Sequence, residues 1–349
     1  MIAPSEKTVF AQAAFQFCGH LDDHLIATAR DLVLVYFQTR FGSGDHLVRR
    51  YCDGRLVEER AFRSSRSIVF YYLRMWCLWR RELRRFVREK GSCTALFIHP
   101  LLAVLRVSPR RVRHVFWQWD YFPDGALVSR LFNAVARVSS RRVDDYHPLT
   151  AAIGRVMGRP DAKVVMLGMR RPAAFGSRES NRLLLVGQLR PGQGVEAVLR
   201  FLAEDSRFRL SLIGAAAAGF EREIGRLVRA GHLEGRVDFA NRFISETELR
   251  EVAKGCLAAL APYETNPSNL TNYADPGKVK SSLEMGLPVV MTRISEIAPF
   301  VERFRAGEVV DDLSGLGPAL DRIRADYPAY LEGVRRFADH FACERIYAE

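Results

Sequence analysis

Between 182 and 292 the chain repeats one pattern: a short apolar run, a loop, then a helix-length amphipathic segment. RLLLV (182–186) precedes GQLRPGQG and a helix over 194–203. A strand at 208–213 precedes GAAAAG and a helix over 220–230. Strands at 237–240, 256–261 and 287–292 (LPVVMT) follow, with helices over 247–254 and 278–285 and a further short element near 309–310. Short apolar runs without polar alternation need cover on both faces, and parallel neighbours need a long crossover. The pattern therefore predicts a doubly wound α/β domain over roughly 180–320, with ligands expected beyond the carboxyl ends of its strands.

The first half shows a looser version of the same rhythm. Strands are expected at 7–17, 32–37, 56–62, 94–98 and 114–119, with helices over 21–30 and 68–90 and a loop at Gly42 and Gly44. This reads as a mainly parallel sheet covered on both faces. The 349 residues suit two domains. The expected division is 1–170, a Pro-, Gly-, Ser- and Arg-bearing linker over 171–180, a domain over 181–325, and final helices over 326–349 packing back on the first domain.

Lys and Arg number 52 against 40 Asp and Glu, a net charge of +12 carried almost wholly by arginine. Arginine matches phosphate and carboxylate, so anionic partners are expected. The arginines are spread over both halves, which argues against a nucleic-acid protein. Ordinary glycine and proline content excludes collagen-like and disordered classes. The six cysteines form no CxxC pair, which argues against zinc ribbons and disulfide scaffolds and for a reducing compartment. Neither a signal peptide nor an 18-residue membrane span is evident, so a cytoplasmic location is expected. Segment 68–90 concentrates Phe70, Tyr71, Tyr72, Trp76 and Trp79 before Arg80, Arg81, Arg84, Arg85 and Arg88. It is either a domain helix with a solvated basic end or a helix that lies on an anionic bilayer.

Three loops carry candidate chemistry. In 187–194, Gly187, Gly192 and Gly194 let the backbone approach a phosphate, and Arg190 adds charge. Gly214 opens the second loop. The third stretch, 261–292, begins APYETN and runs through a long polar segment into a helix whose first turn holds Lys278. A lysine at a helix N-terminus opposes the dipole unless an anion lies between them. Each loop also admits a plainer reading, as a turn, close packing or a surface lysine.

The run Tyr273, Ala274, Asp275, Pro276, Gly277, Lys278, with Lys280, Leu283, Gly286, Leu287, Pro288 and Val289, resembles the donor-domain segment of a bacterial, family-4-like subset of the GT-B glycosyltransferases. HVFWQWDYFPD (114–124) and NRLLLVGQLRPGQGVEAVL resemble further parts of such chains. The resemblance implies two Rossmann-like domains facing across a cleft. It implies a nucleotide diphosphate sugar as substrate and a glycan, lipid-linked or small-molecule acceptor. The donor contacts it implies, with those read from the loops, are Gly187, Arg190, Gly192, Gly194, Gly214, Asn241, Phe243, Tyr263, Asp275, Lys278 and Ser281. Retaining members carry two glutamates in this segment; here Ser281 and Tyr273 stand there, and Glu284 is out of place.

In the first half, Asp120 follows a strand and His20 lies in FCGHLDD, and either suits a general base. Both also fit plain turn or capping positions. Asp22, Asp23 and His24 add a polar cluster, but few spaced ligands accompany it and no metal or other cofactor is expected. A sugar-nucleotide epimerase or a non-catalytic nucleotide- or glycan-binding module remains the alternative.

Overall fold

The computed structural model describes residues 7–13, 20–37, 45–65, 67–103, 107, 110–266 and 268–348. The chain divides into two compact units, Met1–Gly168 with Cys343–Glu349, and Met169–Ala342. The 171–180 segment belongs to the second unit, as does most of 326–349; only the last seven residues, from Cys343, join the first.

The first unit holds β1 (Thr8–Ala13), α1 (Leu21–Thr28), β2 (Asp31–Tyr36), β3 (His46–Cys52), β4 (Arg55–Phe62) and α2 (Ile68–Lys90). It continues with β5 (Cys93–Phe97), α3 (Pro100–Ala103), β6 (Val112–Gln118), α4 (Leu127–Arg142), β7 (Asp145–Pro148) and α5 (Ala151–Val156). The sheet order is β4-β3-β2-β1-β5-β6-β7. Strands β2, β1, β5, β6 and β7 pair in parallel. Buried DLVLVY and CTALF mark interior strands. Of the strand expected at 7–17, Thr8–Ala13 is observed, and positions 14–17 lie outside the described residues, as do Gly42 and Gly44.

Two elements depart from the expected pattern. β3 and β4 form an antiparallel hairpin on the sheet edge, turned at Asp53 (φ 47°) and Gly54 (φ 76°). Asp-Gly supplies the two positive φ angles that such a tight turn needs. The second is α4, which buries Ser129, Ala136, Ser139 and Ser140 while its larger apolar side chains face outward. By contrast α2 buries Met75, Leu78, Trp79, Leu83, Phe86 and Val87, and Trp79 packs edge-on against Phe10 at 4.7 Å.

The second unit holds β8 (Arg182–Val186), α6 (Val195–Glu204), β9 (Arg209–Ile213), α7 (Phe220–Ala230), β10 (Val237–Ala240) and α8 (Glu246–Lys254). It continues with β11 (Ala258–Ala261), α9 (Gly277–Glu284), β12 (Val289–Thr292), α10 (Ala298–Phe304), β13 (Gly307–Val310), α11 (Leu316–Ala325) and α12 (Tyr327–His340). All six strands are parallel, in the order β10-β9-β8-β11-β12-β13. The order reverses between β8 and β11, so the loops after these strands diverge from one crevice. The last helix, α13 (Cys343–Ala348), belongs to the first unit; its Tyr347 hydroxyl accepts the Gly168 N–H at 2.8 Å.

Candidate functional site

In the second unit the loops at the switch point are laid against one another by glycines. Gly187 (φ 129°) donates its N–H to Ile213 O at 3.0 Å, and Gly214 (φ 148°) donates to Ala240 O at 3.0 Å. A β-carbon on Gly214 would run into the Gly187 carbonyl, so only glycine fits there. Leu189 and Ala216 form a parallel bridge, and the Asn241 side-chain oxygen accepts the Ala216 N–H at 2.8 Å. Asn241 therefore braces the loop after β9, while Phe243 is exposed in the loop beyond.

The 187–194 loop is also tied to the segment after β11. Glu264 N–H and the Asn269 side-chain amide donate to Gly192 O at 3.3 and 3.4 Å. At Gly194 (φ 73°), which precedes α6, a β-carbon would collide with the Pro262 carbonyl. Glu264 and Asn269 were not singled out from the sequence; only the β8–β11 adjacency reveals them.

Lys278 reaches back from the first turn of α9 to this loop. Its Nζ donates to Gln193 Oε1 at 2.8 Å, lies 4.7 Å above the Tyr263 ring, and flanks Gly187. Among the described residues no carboxylate pairs with Lys278 or Arg190. Burial, then the Arg190 charge, lower the Lys278 ammonium to about 8. Lys278 thus stands against the glycine loop with a neutral amide as its hydrogen-bond partner and the Arg190 charge acting on it, an arrangement that an anion would stabilise.

The other donor candidates have different surroundings. Asp275 is buried and accepts from Lys280 Nζ at 2.6 Å in an ion pair with no solvent exposure on either side chain. Lys280 also lies 4.1 Å from the Phe341 ring centre. Ser281 is half-buried on α9. Glu284 is buried, and its carboxylate accepts the Arg170 N–H at 2.7 Å.

In the first unit, β1 and β5 are the strands at which the order reverses. Gln12 Oε1 bridges them by accepting the N–H groups of Ile98 and His99 at 2.9 and 2.8 Å. His20, in the left-handed region (φ 41°), precedes α1, and its Nδ1 lies 3.6 Å from Asp23. His20 lines a cavity of about 230 Å³ together with Asp22, Tyr36, Arg49, Tyr51 and Trp119. Burial pushes the Asp22 carboxyl up to about 6, against the lowering effect of its hydrogen bond with Tyr36. The sequence exposes Asp22 only as part of a polar cluster; the Tyr36 contact comes from the sheet.

Asp120 follows Trp119 and is exposed. Its carbonyl accepts from the Gln118 side chain at 3.0 Å, and Gln118 in turn accepts from Tyr146 OH at 2.9 Å. The next turn is clamped by Asn133, which bonds both the N–H and the C=O of Phe122. Although the residue reaches solvent, the protein packed around its carboxyl partly desolvates that group and raises it above its ordinary range. Among the described residues no group of three or more His, Cys, Asp or Glu side chains is arranged to hold a metal.

No protein-family model and no curated protein matches the chain. Solved structures do match. Sucrose-phosphate synthase from Thermosynechococcus elongatus is 14% identical with a TM-score of 0.69, over 97% of this chain and 96% of that one. HepE of Anabaena, solved in complex with UDP, is 14% identical with a TM-score of 0.64, over 97% and 96%. WaaG, a glycosyltransferase involved in lipopolysaccharide biosynthesis, is 14% identical with a TM-score of 0.59, over 98% and 100%. At these identities the likeness establishes architecture: the chain has the GT-B fold, with two Rossmann-like β/α domains.

Proposed function

We propose that this chain is a glycosyltransferase that moves a sugar from a nucleotide diphosphate sugar to a hydroxyl of a glycan, lipid-linked or small-molecule acceptor. The observation that carries the reading is Lys278. A half-buried ammonium, supported by Arg190 and lacking a described carboxylate partner, stands over the glycine loop at the β8–β11 switch point. Lys278, Arg190 and the N–H groups of 187–194 are assigned to the diphosphate, where fixed positive charge stabilises a departing nucleoside diphosphate. The UDP held by the similarly folded HepE supports this class of ligand. Tyr263 supports Lys278, Asn241 and Gly214 shape the neighbouring wall, and Phe243 is assigned to the base. Asp275 holds the start of α9 through Lys280. Ser281 faces the donor without a carboxylate, so direct displacement with Asp120 or His20 as base is the mechanism proposed.

Titration with nucleoside diphosphates tests the assignment. Lys278→Ala is expected to weaken binding by about 1.5–3 kcal/mol, roughly 10- to 150-fold, with the fold retained. The ammonium is the charged, acid form. Wild-type affinity should therefore hold below its pKa of about 8 and fall as pH rises through that region, and Lys278→Ala should abolish this dependence. Unchanged affinity in the folded variant would reject the assignment.

A further inference from the structure

Helix α4 is built inside out. Its buried positions are small, and Ser139 donates to Pro100 O of α3 at 2.9 Å. Its exposed positions include Leu127 and Val128, each 71% accessible, with Leu131 and Val138. An exposed apolar stripe on a helix whose inner face is small and polar has its hydrophobic surface reserved for something outside the domain.

Helix α2 shares only the exposed apolar start. Its inner face is in the core, while its outer stripe begins with exposed Val69, Phe70 and Leu73. α2 packs on α3, and α3 packs on α4. The side chains of Tyr72, His99 and Phe132 run between the two helices with ring centres 5.5 and 5.6 Å apart, so the two apolar starts adjoin.

Both stripes become cationic toward their C-termini. On α4 the exposed residues Arg137, Arg141 and Arg142 follow Leu131. On α2 the continuation is a groove of about 1070 Å³ lined by Trp76, Arg80, Arg84, Arg88, Arg110 and Arg111. Among the described residues none of these five arginines forms an ion pair. Arg80 is stacked on Trp76 at 4.4 Å, so this indole is already covered and is not a platform for a nucleobase.

We propose that the outer faces of α2 and α4 form one docking surface for an anionic lipid bilayer. The apolar starts enter the interface, and the arginine-bearing halves meet lipid phosphates. The charge decides the occupant: a second copy of this chain would bring the same uncompensated arginines against these. No helix among the described residues is long and apolar enough to cross a membrane, so the attachment is peripheral. This inference does not depend on the donor reading.

The test is flotation of the full chain with vesicles of phosphatidylcholine alone and of equal parts phosphatidylcholine and phosphatidylglycerol. Binding is expected to the anionic vesicles at low salt, with release at high salt. Arg84→Ala with Arg88→Ala should lower partitioning about thirtyfold, at roughly fivefold per arginine. Phe70→Glu with Leu131→Glu should abolish insertion. All four side chains are on the surface, so the variants should keep the wild-type melting temperature and nucleoside diphosphate affinity. Absence from anionic vesicles at low salt, or binding indifferent to both pairs of substitutions, overturns the proposal. So does light scattering that shows a stable dimer dissociated by Phe70→Glu with Leu131→Glu.

Discussion

Lys280→Met is expected to destabilise the second unit by about 3–5 kcal/mol, the range for breaking a buried pair by removing one partner. The melting transition should fall by about 6 to 20 °C, taking the usual response of a unit this size. The physical cause is local. Lys280 Nζ and Asp275 Oδ2 lie 2.6 Å apart with neither side chain exposed. Without the ammonium, the carboxylate keeps its desolvation cost and loses its counter-charge. Lys280→Met combined with Asp275→Asn removes both charges and should recover a large part of the loss. The paired variants separate a broken ion pair from a simple packing defect. A single variant that melts with the wild type would show that the pair contributes nothing, and with it the view that Asp275 anchors the start of α9.

Asp120→Asn should lower acceptor-dependent turnover by about 10²–10⁴, the usual contribution of a general base, with nucleoside diphosphate affinity intact. The backbone carrying Asp120 is fixed by Gln118, Tyr146 and Asn133, so the amide keeps the shape and loses the proton acceptor. The carboxyl of Asp120 is raised by desolvation. The active base is its deprotonated form, so the rate should fall as pH drops through that raised value, and Asp120→Asn should remove this acid limb. His20→Ala divides the assignments: a comparable loss means that both groups act on one proton, and a small loss leaves Asp120 alone. Asp22, raised to about 6 in the cavity that His20 lines, is the competing source of an acid limb, and Asp22→Asn identifies it. Near wild-type transfer by Asp120→Asn would remove this residue and favour retention without a protein base.

Much of the second unit is legible in the sequence because its elements obey simple periods. RLLLV and the 237–240 run are observed as β8 and β10, and 220–230 as α7. Helix 68–90 is equally plain, since Met75, Leu78, Trp79, Leu83 and Phe86 recur at helical spacing on its buried face. α4 has the same helical periodicity, but its apolar residues point outward, so the period alone assigns the wrong face to the core. The β3–β4 hairpin carried a usable signal, Asp53-Gly54 between two strand-like runs, that the expectation of parallel strands obscured. At the candidate site, glycine loops and Lys278 are visible in sequence, but Gln193 meets Lys278 across 85 positions. Lys280 enters the sequence reading as a position of the resembled segment, and only the packing around α9 shows it to be buried and paired with Asp275.

The most direct test of glycosyl transfer is to incubate the full chain with a panel of nucleotide diphosphate sugars, with and without a pool of hydroxylated acceptors. Released nucleoside diphosphate and product mass are then followed together. The account predicts that one donor class yields nucleoside diphosphate only when an acceptor is present, with the acceptor heavier by one glycosyl residue. It also predicts that Lys278→Ala loses this activity. Conversion of the donor alone into an isomeric nucleotide sugar, or donor binding with no transfer to any acceptor, would contradict it.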